Sequence, residues 1–203
     1  MPQSPNVVNF DPFAPLPSPP ALFYRSVPAP FSGPDLAHLT QMRTSCGLYA
    51  DRIPRWSQEV AQNQRRMYLI YFSDPMYTPN AVPIGMISLL LHNTDDPTLA
   101  AFSITGRVEV SSLFVYQAYR HLGVGLSAMM EMERRAAEIG ALFITLNTMA
   151  TPKNIQIYSQ LGYREFKPRL ASGYSAQDVL GSGVATVESA ACFFEKPLRR
   201  LSP

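Results

Sequence analysis

Ser112-Leu-Phe-Val-Tyr-Gln-Ala-Tyr-Arg-His-Leu-Gly-Val-Gly-Leu-Ser127 is the stretch on which the fold turns. Its first residues finish an apolar run from Arg107 to Val115 that reads as a strand. Its last residues open an amphipathic helix predicted over Gly123 to Ile139, where Met129, Met132, Ala136 and Ile139 recur at spacings of three and four. Between them lies a turn, Arg120-x-x-Gly123-x-Gly125. Glycines let the main chain approach a ligand, and the first N–H groups of a helix have no internal partner. The helix dipole adds to them, so the turn is an anion site suited to phosphate, with Arg120 supplying a charged fork. A Walker loop would need Gly-Lys-Ser/Thr, and Leu126 follows Gly125. A dinucleotide fingerprint would need a third glycine at residue 128, which is alanine, a residue sometimes allowed there. Taken alone the turn reads equally as a tight strand-to-helix connection, and its flanks decide.

Outward from that turn the chain alternates strand and helix. A strand is predicted at Ala21 to Val27, a helix at Pro34 to Met42, and a second helix from Asp51 or Pro54 to Gln64. Strands follow at Met67 to Phe72 and Ile84 to Leu91, then turn chemistry at Asn93 to Pro97. After the amphipathic helix, which Gly140 ends, Leu142 to Leu146 is a buried strand. Thr151-Pro152 is a cap followed by first-turn proline, opening a helix that closes at Gly162. The last strands are Tyr163 to Phe166 and Ala191 to Lys196, separated by Ala171 to Ala190, rich in Gly, Ser and Ala.

Composition narrows the function classes. The chain has 203 residues, 46% hydrophobic and 16% charged, enough apolar material for one packed core. A net charge of +2 gives no bulk signal for nucleic acid. No apolar run approaches the ~20 residues of a membrane span. Cys46 and Cys192, with three histidines, make neither a disulfide scaffold nor a metal cluster, so no metal is expected and a cytoplasmic setting is. Prolines crowd residues 1–20, which are read as a disordered tail, a ligand for a proline-binding module being the alternative. Residues 21–203 are read as one domain.

The pattern resembles the GNAT superfamily of acyl-CoA-dependent N-acyltransferases. Arg120-His-Leu-Gly123-Val-Gly125 matches its Arg/Gln-x-x-Gly-x-Gly/Ala motif, and Asn154-Ile-Gln-Ile-Tyr158-Ser-Gln-Leu-Gly162-Tyr163 is similar to its second motif. The match runs from about residue 84 to 196. A proline usual near Gln117-Ala118 is absent, a minor departure. The resemblance implies an α/β fold with a mixed, mostly antiparallel sheet of six or seven strands, flanked by about four helices. It implies acetyl-CoA as cosubstrate and an amine as acceptor, with a homodimer left open. A bulge in the fourth strand would splay it from the fifth, leaving the main chain of Phe114 and Val115 for the pantetheine arm. The amides of His121, Leu122, Gly123, Val124, Gly125 and Leu126 would hold the pyrophosphate beside Arg120. Asn154 would bond the cofactor arm.

Acetyl transfer needs a neutral amine, an oxyanion site and a proton for the departing thiolate. The resemblance implies that a tyrosine at the position of Tyr158 lies near the thioester sulfur, and a phenol with pKa ~10 can protonate a thiolate whose conjugate acid is near ~8.5, so Tyr158 is the expected general acid, against the reading of a core tyrosine beside Leu161. The Val115 N–H is the expected donor to the thioester carbonyl. The resemblance implies a carboxylate on this strand acting directly or through water, so Glu109 is the candidate base, equally read as a solvated strand carboxylate or a mere substrate contact, and His92 is a second candidate. His38 and His121 are not favoured. Acceptor choice falls to Arg43–Arg55 and Ala171–Ala190, where Tyr49, Asp51 and Trp56 could face a cationic amine. The alternative is that Trp56 is core and Asp51 a helix cap. The expected function is direct acetyl transfer to a primary amine through a ternary complex, with no covalent enzyme intermediate. The alternative is a non-catalytic acyl-CoA-binding module.

Overall fold

The computed structural model describes residues 21–47, 50–72, 81–170 and 190–198. The predicted tail, Tyr49 and residues 171–189 of the predicted loop lie outside them. The strands are β1 (Phe23–Ser26), β2 (Arg65–Tyr71), β3 (Gly85–Leu90), β4 (Arg107–Val115), β5 (Phe143–Met149), β6 (Arg164–Leu170) and β7 (Ala191–Pro197). They form one sheet in the order β1-β2-β3-β4-β5-β7-β6. All neighbours are antiparallel except β4 and β5. The mixed, mostly antiparallel architecture expected from the sequence is therefore present.

The helices are α1 (Gly33–Ser45), α2 (Ile53–Ala61), α3 (Phe102–Thr105), α4 (Val124–Glu138) and α5 (Pro152–Gln160). Proline stands in the first turn of α1, α2 and α5, where its missing N–H removes no helical bond. Thr151 caps α5, its hydroxyl accepting from the Asn154 N–H at 3.1 Å. The predicted second helix stops at Ala61 rather than Gln64. There Asn63 takes a positive φ of 54° and the Gln64 N–H turns back to the Glu59 carbonyl at 2.8 Å. α3, a single turn ended by left-handed Gly106, has no counterpart in the sequence reading.

Two apolar clusters cover the two faces of the sheet. One joins Tyr68, Ile70, Ile87, Leu89, Val108 and Val110 to Val124, Ala128, Met129, Met132 and Ala136 of α4. The other joins Met67, Leu69, Tyr71, Met86 and Phe114 to Leu39 and Met42 of α1 and Trp56 of α2. Along β4 the alternation inverts between Val110 and Phe114. Before Ser112 the even-numbered residues face α4; after it Phe114 faces α1 and α2, while Leu113 and Val115 pack against the α4 cluster. The cause is a bulge: Ser88 pairs with Ser111 but Met86 pairs with Phe114, and Ser112 takes φ 57°.

Candidate active site

Beyond the bulge the sheet opens. β4 and β5 pair from Arg107 and Phe143 only as far as Val110 and Leu146. From there β4 continues to Val115 on β3, and β5 continues to Met149 on β7. Because Tyr116 donates its N–H to the Ile84 carbonyl on the β3 side, alternation turns the Val115 main chain the other way, into the gap. Leu113 shares that direction by period two. The Phe114 carbonyl instead lies on β3, where a Cβ added at Gly85 would collide with it. Of the two main-chain positions expected to meet the cofactor arm, Val115 therefore faces the gap and Phe114 faces β3. Leu113, which the sequence reading did not name, takes the second gap-facing position.

The gap leads to the Arg120–Leu126 turn. Gly123 adopts φ 80°, ψ 0° as the residue before α4, and His121 is also left-handed at φ 65°. The first N–H to close the α4 ladder is that of Ser127, on the Gly123 carbonyl at 2.9 Å, so those of Val124, Gly125 and Leu126 precede it. Val124 is buried and fixes the helix start to the core. A Cβ on Gly125 would meet nothing within 4 Å, so the helix start is uncovered at that residue. His121 and Leu122 are exposed on the same turn. The Arg120 Nε donates to the Val115 carbonyl at 3.0 Å, tying the turn to the end of β4. This set fits a diphosphate with an extended arm: amides ahead of a helix start, a cation, and main chain along the gap.

A cavity of about 440 Å³ opens beside the gap and brings Glu109 and Tyr158 to one place. They reach it from opposite faces of the sheet. Glu109 alternates with Val108 and Val110, so it projects toward α1 and α2. Tyr158 belongs to α5 and packs with the α4 cluster, its ring 5.6 Å from that of Phe194 and 6.0 Å from that of Tyr163. The Tyr158 hydroxyl makes no hydrogen bond among the described residues, and burial raises its pKa.

Glu109 is 2% exposed. The Asn93 amide donates to its Oε2 and the Asn147 amide to its Oε1, each at 2.7 Å. Burial pushes its pKa up to about 7, against those two hydrogen bonds and the field of Arg65. A carboxylate poised there is suited to proton abstraction near neutrality. The reading of Glu109 as a solvated strand carboxylate does not hold. His92 forms an isolated bridge with Ala101 and does not line the cavity; its neighbour Asn93 does. In the sequence Asn93 carried only a turn signal and Asn147 none, and neither pointed to Glu109.

Asn154, expected at the cofactor arm, donates its amide to Thr148 Oγ1 at 3.0 Å and the Met149 carbonyl at 3.1 Å, tying α5 to the end of β5. Trp56 is buried in the α1–α2 cluster and also lines the cavity, with the guanidinium carbons of Arg43 and Arg65 5.2 and 5.5 Å from its ring centroid. Asp51 lies in a short 3₁₀ turn, Ala50–Arg52, and does not line the cavity. Among the described residues no cluster of three or more His, Cys, Asp or Glu could hold a metal ion, and no helix is long and apolar enough to cross a membrane.

The sequence model described as "Acetyltransferase (GNAT) family" matches residues 37–163. No curated protein matches the chain. Among solved structures, the spermidine N-acetyltransferase from Vibrio cholerae in complex with CoA and spermine superposes with a TM-score of 0.62 at 12% identity, over 88% of this chain and 96% of that one. The IAA acetyltransferase from Bacillus cereus superposes with a TM-score of 0.59 at 13% identity, over 88% of this chain and 100% of that one. At such identities these two show a shared fold.

Proposed function

The chain belongs to the acetyltransferase (GNAT) family, and on that premise we propose that it moves an acetyl group from acetyl-CoA directly onto a primary amine within a ternary complex. The observation that carries this reading is the meeting of Glu109 and Tyr158 in one cavity at the mouth of the opened sheet. Acetyl-CoA supplies a thioester, an acyl carbon activated toward amines. The Val115 main chain, with that of Leu113, binds the cofactor arm along the gap. The amides of residues 121–126, with Arg120 at their flank, hold its phosphates. Asn154 serves by fixing α5, and so Tyr158, against β5.

Glu109 takes a proton from the incoming ammonium, leaving a nucleophilic nitrogen lone pair. As the new C–N bond forms and the C–S bond breaks, the Val115 N–H is the donor facing the carbonyl oxygen. Tyr158 gives its hydroxyl proton to the departing sulfur and regains one from solvent. The nitrogen sheds its second proton to solvent and Glu109 returns the first to solvent, so that with Tyr158 reprotonated one net proton is released, and the products are the N-acetyl amine and free CoA thiol. Neither cysteine supports a covalent detour: Cys192 is buried and its pKa is raised by that burial, and neither Cys46 nor Cys192 lines the cavity.

The test is thiol release from acetyl-CoA over a panel of amines, with calorimetry of CoA binding in parallel. Amine-dependent thiol release supports transfer. CoA binding with no release for any amine would return the chain to a binding module.

A further inference from the structure

On its α1–α2 side the cavity is lined with arginine. Arg43 of α1, Arg52 at the entry to α2, Arg55 of α2 and Arg65 of β2 all contribute, and no residue of the 117–126 turn does. These guanidinium groups therefore belong to the acceptor's part of the site. Three carboxylates share the lining: Glu59, Asp95 and Glu109. Glu59 is divided between Arg55 Nε at 2.9 Å and Arg65 Nε at 2.7 Å, and Asp95 pairs with Arg55 at 2.8 Å. Glu109 is occupied by two amides and carries only part of a charge near pH 7. Arg52 is exposed, makes no hydrogen bond or salt bridge among the described residues, and lies within the field of Asp95. Arg43 lies against the Trp56 ring, which pre-orients its guanidinium at the lining.

Among the described lining residues four guanidinium groups stand against three carboxylates, and such a wall favours anions over polycations. Guanidinium forks match the paired oxygens of a carboxylate or phosphate. We propose that the acceptor is a primary amine that also carries an anionic group, a carboxylate or a phosphate, held by Arg43 and Arg52 while Glu109 receives the amine proton. This rests on the acetyl-transfer reading of Glu109 and Tyr158 and deepens it by naming the acceptor class. Spermine, bound in the Vibrio cholerae structure, is a polycation and belongs to the opposite class.

The experiment measures thiol release with matched acceptors: standard amino acids against their carboxamides, glucosamine 6-phosphate against glucosamine, and spermidine. The expected result is that anionic members exceed their neutral partners by about tenfold or more in kcat/KM, with spermidine poorest. The pair that shows the larger ratio identifies carboxylate or phosphate. Arg52→Gln and Arg43→Gln should each raise KM for the anionic acceptor about fivefold with little change in kcat, and added salt should act in the same direction. Arg52 is exposed, so its variant reads the site even if Arg43→Gln fails to fold. Carboxamides or spermidine used as well as the anionic members would overturn the acceptor assignment and leave acetyl transfer standing. CoA binding without transfer to any amine would overturn both.

Discussion

Asn147 on β5 donates its amide to the Glu109 carboxylate on β4 at 2.7 Å, one residue past the last paired position of the two strands. The bond bridges the point where the sheet starts to open. It links the geometry of the gap to the protonation of Glu109, the proposed base, because a hydrogen bond to a carboxylate favours its charged form.

Glu109 should set the acid limb of the pH profile. Its folded pKa lies near 7, above the ordinary carboxylate range, so the protonated and inactive form dominates below that pH. The logarithm of kcat/KM should therefore climb with a slope near one per unit below pH 7 and level off above it. Glu109→Gln should remove this limb and lower the plateau about a hundredfold, leaving only titration of the acceptor amine. A limb near 7 that survives in the variant would remove Glu109 from the role.

Asn147→Ala should move the same limb rather than abolish it. Losing one of two amide donors leaves the buried carboxylate less able to hold its charge, so the apparent pKa should rise by about one unit. At pH 7 the variant should be slower; near pH 9 it should approach the parent. A rate lowered equally at every pH would mean that Asn147 only supports the fold.

Tyr158→Phe should lower kcat about a hundredfold while CoA affinity stays within twofold. The phenyl ring keeps the packing on Phe194 and Tyr163, so thermal stability should change little. Rate measurements with calorimetry on the same sample decide this, and an unaltered kcat would leave Tyr158 as packing alone.

Glu59→Ala should be costly to stability. It removes the carboxylate that accepts from Arg65, which is 5% exposed and whose pKa burial already holds down. An uncompensated buried cation typically costs ~3 kcal/mol. Urea titration should show the midpoint falling with an unchanged slope, whereas a shift below about 1 kcal/mol would mean that water reaches Arg65.

Where chemistry and local pattern coincide, the sequence was legible. The strand, turn and helix from Arg107 to Glu138 follow from apolar period, glycine placement and helix-end physics, and the structure has them within a residue or two. Glu109 and Tyr158 could be named only through the family resemblance, which points to a carboxylate on this strand and a tyrosine at this place on the later helix. The bulge could be expected only through the family resemblance, and its position at Ser112 could not be read, since no glycine stands where φ is 57°. That is why Phe114 was named where Leu113 has the gap-facing direction. The four arginines look like ordinary surface charge one at a time; only the crossing of α1, α2 and β2 gathers them. Asn93 and Asn147 sit 54 residues apart in sequence and meet on one carboxylate, which no local pattern encodes.

The extra residue at Ser112 also makes the two ends of β4 obey different packing rules. Insert or delete one position after it, and Phe114 would swap layers with its neighbours while the buried Glu109 stayed where it is. Chain length between Glu109 and Val115, more than any side chain there, thus keeps the buried carboxylate and the gap-facing main chain in step.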